Sequence, residues 1–217
     1  NKCNLKIKKI LLKSFVEGSY ISNKNVTLDT FYQIKINAND SQLFYFENDS
    51  LKFEQSFDFG SDLIIRDISK VTSLKIEIVK KIINNFCFTH DTPKEELLEK
   101  EMFENENYIK IKKRLLLEIS ESRIEELLQR ILVKNINLLS FNRQNKTVFI
   151  KINDQSHYKC FKNIYSLFFV KYNKFVVNFS KDISTEDLMN NVNKIVHFGW
   201  KKEAVPIIES KKSLIAW

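Results

Sequence analysis

Phe53-Glu-Gln-Ser-Phe57-Asp-Phe59-Gly60-Ser61-Asp62-Leu-Ile64-Ile65-Arg-Asp67-Ile68-Ser-Lys70-Val71 changes its hydrophobic period halfway along. Phe53, Phe57 and Phe59 stand among polar neighbours, as on a strand, and Ile64, Ile65, Ile68 and Val71 then follow at helical spacing. Gly60 breaks the strand, and Ser61 and Asp62 sit where helix N-caps sit. A strand led through a glycine turn into a helix is one way to set a helix N-terminus at a cleft, where its amides attract anions. The pattern alone is not specific.

Upstream, Phe31 to Ile36, Gln42 to Phe46 and Leu51 to Phe57 read as three strands. Asn37-Ala-Asn-Asp40 and Asn48-Asp49-Ser50 separate them, so a three-stranded meander feeds the Gly60 turn. Before it, Lys6 to Leu12 reads as a strand, Val16 to Ile21 as a short turn or helix, and Ser22 to Asn25 as a polar loop. Downstream, Ser73 is expected to open a second helix through about Ile83, closed by Asn84-Asn85, with Phe86-Cys-Phe88 as a short strand. Thr92-Pro93-Lys-Glu95 has the cap, proline and glutamate of a helix start, which predicts a short acidic helix from Glu95 to Glu101. Tyr108 to Val133 carries the longest helical pattern, with Ile124, Leu127, Leu128 and Ile131 on one face and Glu126 one turn from Arg130.

Lys146 to Ile152 alternates as a strand, and Ser166 to Val170 with Phe175 to Phe179 predicts a hairpin about Lys171 to Lys174. Ser184-Thr185 caps a last helix, with Leu188, Val192, Ile195 and Val196 on one face and Gly199 at its stop. Strands and helices mix throughout without an internal repeat or flexible linker, so the class is α/β or α+β.

At 217 residues and 43% hydrophobic, the chain can bury one large core or two small ones. Gly and Pro are scarce and Phe abundant, which excludes a disordered chain. The formal charge of +8 suits an anionic partner or surface, although basic and acidic residues interleave and solvated faces are the more ordinary account of them. Cys3, Cys87 and Cys160 are an odd, irregular set, which argues against a secreted disulfide framework and for a reducing cytosol. No apolar run reaches the roughly 18 residues of a membrane span, and no signal peptide is visible. The start at Asn1 and stop at Trp217 suggest a fragment of a longer protein.

Cys87-x-x-His90 and His157-x-x-Cys160 would together offer zinc two sulfurs and two nitrogens, but they lie far apart in sequence and no metal is assigned. His197 follows the core face of its helix and reads as structural. Gly18, Gly60 and Gly199 are the only glycines and none are neighbours, so the chain has no glycine-rich phosphate loop. Glu121 and Glu125, one turn apart, read as a solvated helix face. Aromatics interleave with lysine at Tyr158-Lys-Cys-Phe161-Lys162 and Val170-Lys-Tyr172-Asn-Lys174-Phe175, as on a stacking platform. No nucleic-acid module fits, and half-buried strands look the same. The tail from Trp200 to Trp217 turns at Pro206 into a Lys/Leu/Ile/Trp pattern that would suit a basic amphipathic helix on a membrane if the chain continued so; a frayed terminus accounts for it too.

The order of elements resembles the second half of FtsA, the bacterial actin-like cell-division family. Gly60-Ser-Asp-Leu-Ile-Ile-Arg-Asp67-Ile-Ser matches the start of the family helix that follows the meander. Lys112-Lys-Arg-Leu-Leu-Leu-Glu-Ile-Ser-Glu121-Ser-Arg123-Ile-Glu-Glu126-Leu looks like its Glu-x-Arg-x-x-Glu-Leu helix, and Val196-His-Phe-Gly199-Trp like its closing helix. The ending Lys-Lys-Ser-Leu-Ile looks like the linker into the family's membrane helix. The resemblance implies an α/β, actin-like (ribonuclease H-like) ATPase-type domain with an inserted α/β subdomain. Residues 1–68 and 111–217 would form subdomain IIA and residues 69–110 the inserted IIB.

The departures fall on the nucleotide site. Lys35 stands where the family has its phosphate-loop acid, Asn37, Ala38 and Asn39 where it has three glycines, and Gln42 at its second acid. The adenosine-side loop falls near Asn153-Asp154-Gln155. Lys35 would offset phosphate charge, but Asn and Ala carry side chains where the backbone must approach the ligand. The expectation is a degenerate nucleotide site at Lys35, Asn37, Ala38, Asn39, Gly60 and Asn153, with no cofactor, no hydrolysis, and an ATP site surviving only in part as the alternative. The resemblance further implies a scaffold at the cytoplasmic face of the inner membrane, at the division site. It would self-associate into actin-like protofilaments and bind the C-terminal tail of the tubulin-like FtsZ, not nucleic acid. A C-terminal helix lying outside this sequence would anchor it to the membrane. Carried over, the tail would dock at Arg123 and Glu126, with Lys112, Lys113 and Arg114 supplying positive charge. An actin-like ATP-binding protein with a rebuilt phosphate loop, or a basic nucleic-acid-binding domain, are the competing readings.

Overall fold

The structure is a computed structural model describing residues 10–25, 27–85, 92–103, 107–141, 147–153, 158–172 and 174–199. The expected strand at Phe86 to Phe88, the side chains of Cys87, His90, His157 and Cys160, and the tail from Trp200 lie outside them, as do Lys6 to Lys9. Ile10 to Leu12, the rest of that first expected strand, are irregular.

The chain opens with α1 (Lys13–Lys24), which takes in both the expected short turn and most of the polar loop after it. The meander follows as β1 (Phe31–Ile36), β2 (Ser41–Glu47) and β3 (Ser50–Phe57). Asn48 and Asp49, at φ 51° and 61°, make the two-residue turn between the last two strands. Paired positive φ values give the backbone twist that a tight hairpin needs. Next come α2 (Asp62–Thr72), α3 (Ile76–Asn85), a 3-10 turn at Lys100–Phe103, and α4 (Lys113–Leu128), which runs into a π turn at Gln129–Val133. β4 (Thr147–Ile152), α5 (Tyr158–Lys171), β5 (Val176–Phe179) and α6 (Thr185–Phe198) complete the order.

Among the described residues a five-stranded sheet has the order β3-β2-β1-β4-β5. β4 and β5 are parallel, with Thr147 opposite Val176 and Ile150 opposite Phe179. Parallel neighbours need a long crossover, and α5 supplies it. The expected hairpin is therefore wrong: Ser166 to Val170 is helical. Its apolar run buries Phe161, Ile164, Tyr165, Phe168 and Phe169, a pattern that a buried helix shares with a strand.

Three more expectations fail because of backbone or tertiary pairing. Ser73 ends α2 in the left-handed conformation (φ 58°) rather than opening the next helix. Residues 92–99 are not helical: Leu97 pairs antiparallel with Lys112, Leu98 N–H donates to Ile111 O (2.9 Å) and Lys113 N–H to Glu96 O (2.8 Å). Backbone bonds to a neighbouring segment thus replace the helix that the local Thr-Pro-x-Glu signal proposed. Residues 107–111, the start of the long helical pattern, are irregular for the same reason.

The chain divides into two units, Asn1–Gln33 with Phe44–Glu54 and Lys181–Trp217, and Ile34–Leu43 with Gln55–Ser180. In the first, Asn191 of α6 is buried and donates to Val16 O of α1 (2.9 Å), while Ser184 Oγ caps α6 by accepting from Asp187 N–H (3.0 Å). Gly18 lets α1 lie on the Phe46 ring, since a Cβ there would come within 1.9 Å of it. Phe46 in turn stacks on Phe31 at 4.8 Å. His197 is exposed, not in the core, because Asn191 and Ile195 mark the buried face of α6.

In the second unit Ile124, Leu127, Leu128 and Ile131 form the expected buried face. Glu125 is not part of a solvated face: it accepts Lys171 Nζ on both oxygens (2.8 Å), Tyr172 OH (3.1 Å) and Gln129 Nε2 (3.1 Å), tying α4 to α5. The Lys171 hydrogen bond, with those of Tyr172 and Gln129, lowers the Glu125 pKa against a desolvation that raises it. A carboxylate with a lower pKa folded than unfolded adds stability above its unfolded value, 4.5 here, and loses it as pH falls through the folded one. Glu125→Gln should therefore lower stability at neutral pH and flatten the acid limb below about pH 4.5, read from urea midpoints between pH 7 and pH 3.

Candidate functional site

Of the positions expected to line a nucleotide cleft, Asn37, Ala38, Gly60 and Asn153 lie together in the second unit. Asn153, at the end of β4, donates through its N–H to Ile36 O (2.9 Å) and through Nδ2 to Asn37 Oδ1 (2.6 Å). Asn37 Nδ2 donates to Asp40 Oδ2 (2.7 Å), and its N–H to Asp40 O (2.9 Å). The β1–β2 turn is thus cross-linked by side-chain amides.

The same turn covers the start of α2. Ser61 N–H donates to Asn37 O (2.9 Å), Asp62 N–H to Ala38 O (2.8 Å), Leu63 N–H to Gly60 O (3.2 Å) and Ile64 N–H to Ser61 O (3.0 Å). A helix N-terminus binds anions through amides that have no partner. Here those amides are occupied by the protein's own carbonyls. Ser61 does not cap the helix with its side chain; its Oγ turns to Asn37 O instead (3.4 Å). Gly60 permits the closure, because a Cβ at that position would sit 2.2 Å from Asn37 O and 2.6 Å from Ala38 O. Lys35 is buried within β1 and Asn39 is exposed on the turn. Among the described residues no group of three or more His, Cys, Asp or Glu side chains is placed to hold a metal. Phe161, expected on a stacking platform, is buried in the core.

The expected partner-binding residues lie along α4. Arg123 Nε pairs with Asp67 of α2 and its Nη1 with Glu126 (2.5 Å), while Arg130 Nη2 holds the other Glu126 oxygen (2.5 Å). Arg123 is therefore a clamp between α2 and α4 as well as a groove residue. Arg114 pairs with Glu118 (3.2 Å) and Lys112 with Glu95 (2.7 Å). Lys113 is a correction: it is buried, with its Nζ 2.5 Å from Glu96 Oε1 and 3.8 Å from Glu99, and it fastens residues 92–99 to α4 rather than meeting solvent.

Two open cavities follow this face, one of about 460 Å³ beside Arg123 and one of about 560 Å³ beside Lys110. Both are lined by Val71 and Glu118. Val71 is 60% exposed, although its spacing placed it with the core isoleucines of α2; Thr72 is buried in its stead. Together with Ile109 and Leu115, it gives the trough an apolar floor. Of the residues on the rim, Lys70, Lys94 and Lys110 make no ion pair among the described residues. The sequence reading missed Val71, Lys94 and Lys110. An exposed valine at the end of an amphipathic helix leaves no trace in periodicity.

No family model matches the sequence, and no curated protein matches it. Among solved structures, MreB 5 of Spiroplasma citri bound to AMPPNP has a TM-score of 0.50 at 14% identity, over 92% of this chain and 60% of that one. Ta0583, an archaeal actin homolog, has 0.49 at 10% identity over 84% and 54%. The ethanolamine utilization protein EutJ from Carboxydothermus hydrogenoformans has 0.47 at 9% identity over 76% and 47%. The likeness to MreB 5 gives the chain the actin-like ATPase fold, and the chain spans about half the length of these structures.

Two substitutions test this geometry. Gly60→Ala should destabilise the second unit by about 1–3 kcal/mol, because a backbone carbonyl has to give way; a chemical denaturation midpoint measures it. Glu96→Gln should cost about 2 kcal/mol by removing the nearer of two carboxylates from buried Lys113, whereas Lys113→Met should cost less than about 1 kcal/mol, since the released carboxylate reaches water and Met fills the space.

Proposed function

We propose that this chain is part of a non-hydrolysing actin-like scaffold, an adaptor that binds an acidic peptide segment along α2 and α4. In the finer form of the reading, the segment is the C-terminal tail of FtsZ, and the protein helps tether the division ring to the cytoplasmic face of the inner membrane. Self-association into protofilaments belongs to the same proposal. No described helix is long and apolar enough to cross a membrane; in this reading the tether is an amphipathic segment at the C-terminal end.

One observation carries the peptide reading: every carboxylate on the trough is neutralised by a neighbouring cation, while Lys70, Lys94 and Lys110 stand over an apolar floor without an ion pair among the described residues. Such a surface attracts an acidic chain at long range and holds its apolar side chains at short range. The absence of hydrolysis is supported by the closed turn. An ATP phosphate would have to break the Ser61–Asn37 and Asp62–Ala38 bonds and expel Asn37 from its amide pairing.

The test is a titration of a fluorescent FtsZ tail peptide into the chain, beside calorimetry with Mg-ATP. Saturable peptide binding that falls about tenfold or more in Lys94→Glu with Lys110→Glu is the expected result, together with no ATP heat at millimolar nucleotide. Tight magnesium-dependent ATP binding would instead favour an ATP-binding protein with a rebuilt phosphate loop. Failure of the folded chain to bind the tail would sink the adaptor reading.

A further inference from the structure

The two cavities on the α2–α4 face differ in charge, although they share Val71 and Glu118. Beside Arg123, the carboxylates of Asp67 and Glu126 are held by Arg123 and Arg130, so Lys70 is the cation left over. A guest carboxylate there would lie beside the carboxylates of Asp67 and Glu126, with Lys70 as the one lining cation that makes no ion pair among the described residues. Beside Lys110, Lys94 and Lys110 make no ion pair among the described residues, and Lys112 and Arg114 add two cations engaged with Glu95 and Glu118. With Glu118 paired to Arg114, the end beside Arg123 keeps a surplus of about one positive charge, that of Lys70. The other has a surplus of about two positive charges that exposed lysines supply without desolvation.

We infer that the trough selects a peptide whose acidic residues are segregated at one end and whose other end is uncharged and apolar. This rests on the peptide-docking reading above. The acidic end lies against Lys94 and Lys110, an apolar side chain covers Val71 at the junction, and the neutral end fills the cavity beside Arg123. A peptide with the same residues dispersed would put a carboxylate beside Asp67 and Glu126, where like charges oppose it. Each cavity is within the range of about 300–1,000 Å³ seen for small-ligand pockets, room for several residues of a peptide. The charge pattern, rather than net charge, becomes the recognised feature.

The experiment uses two synthetic amphipathic peptides of identical composition, one with its aspartates clustered at one end and one with them evenly spread. Fluorescence anisotropy with the intact chain should show the clustered peptide binding about tenfold tighter, an advantage erased by Lys94→Glu with Lys110→Glu. Zero-length carbodiimide coupling, which condenses a peptide carboxylate with a lysine amine, should join the clustered aspartates to Lys94 or Lys110 rather than Lys70. Equal affinity of the two peptides, or coupling spread equally to Lys70, overturns the segregation rule while leaving the docking reading intact. If neither peptide nor the tail binds, the docking reading itself fails.

Discussion

Two backbone hydrogen bonds, Ser61 N–H to Asn37 O and Asp62 N–H to Ala38 O, set the geometry on which the second unit depends. They fix the β1–β2 turn against the start of α2, and only a residue without a side chain at position 60 lets the carbonyls come that close. They also satisfy amides that would otherwise face solvent or an anion. The N-terminus of α2 is filled by its own chain.

From that fixed start, α2 is carried to α4 by ion pairs. Arg123 reaches Asp67 across the helix pair and Glu126 along its own helix, and Arg130 completes the chain of charges. Partly exposed pairs of this kind contribute little stability singly, but a shared arginine fixes the spacing of two helices. On the other side of the trough, buried Lys113 holds Glu96, and two backbone bonds hold the 96–98 stretch to 111–113. The trough is what remains between these fastenings. Its floor is apolar because Val71 and Leu115 find no partner that buries them, and its rim is cationic because the acids are used in the fastening.

The proposed loss of nucleotide chemistry and the proposed gain of a peptide surface have a common physical root. Both follow from polar groups being satisfied internally: backbone amides at α2, carboxylates along α4. The groups left over are lysines and aliphatic side chains, which suit association better than phosphoryl transfer.

The sequence by itself determined the elements whose signals are local. The meander, the Asn48-Asp49 turn, the buried stripe of α4 from Ile124 to Ile131, β4, and the Ser184-capped α6 follow from hydrophobic period and capping chemistry, which act within a few residues. The resemblance also named Asn37, Ala38, Gly60 and Asn153, which hydrogen bonds and close backbone contacts hold near one another. Tertiary structure alone decided the rest. Residues 166–170 became helix because β5 pairs parallel with β4 and needs a crossover, which no property of that apolar run reveals. The helix signal at Thr92 lost to backbone pairing with 111–113, distant in sequence. Lys113 went inside and Val71 outside against their local expectations, because burial is set by which neighbour arrives at a face, and that neighbour is chosen by the whole fold.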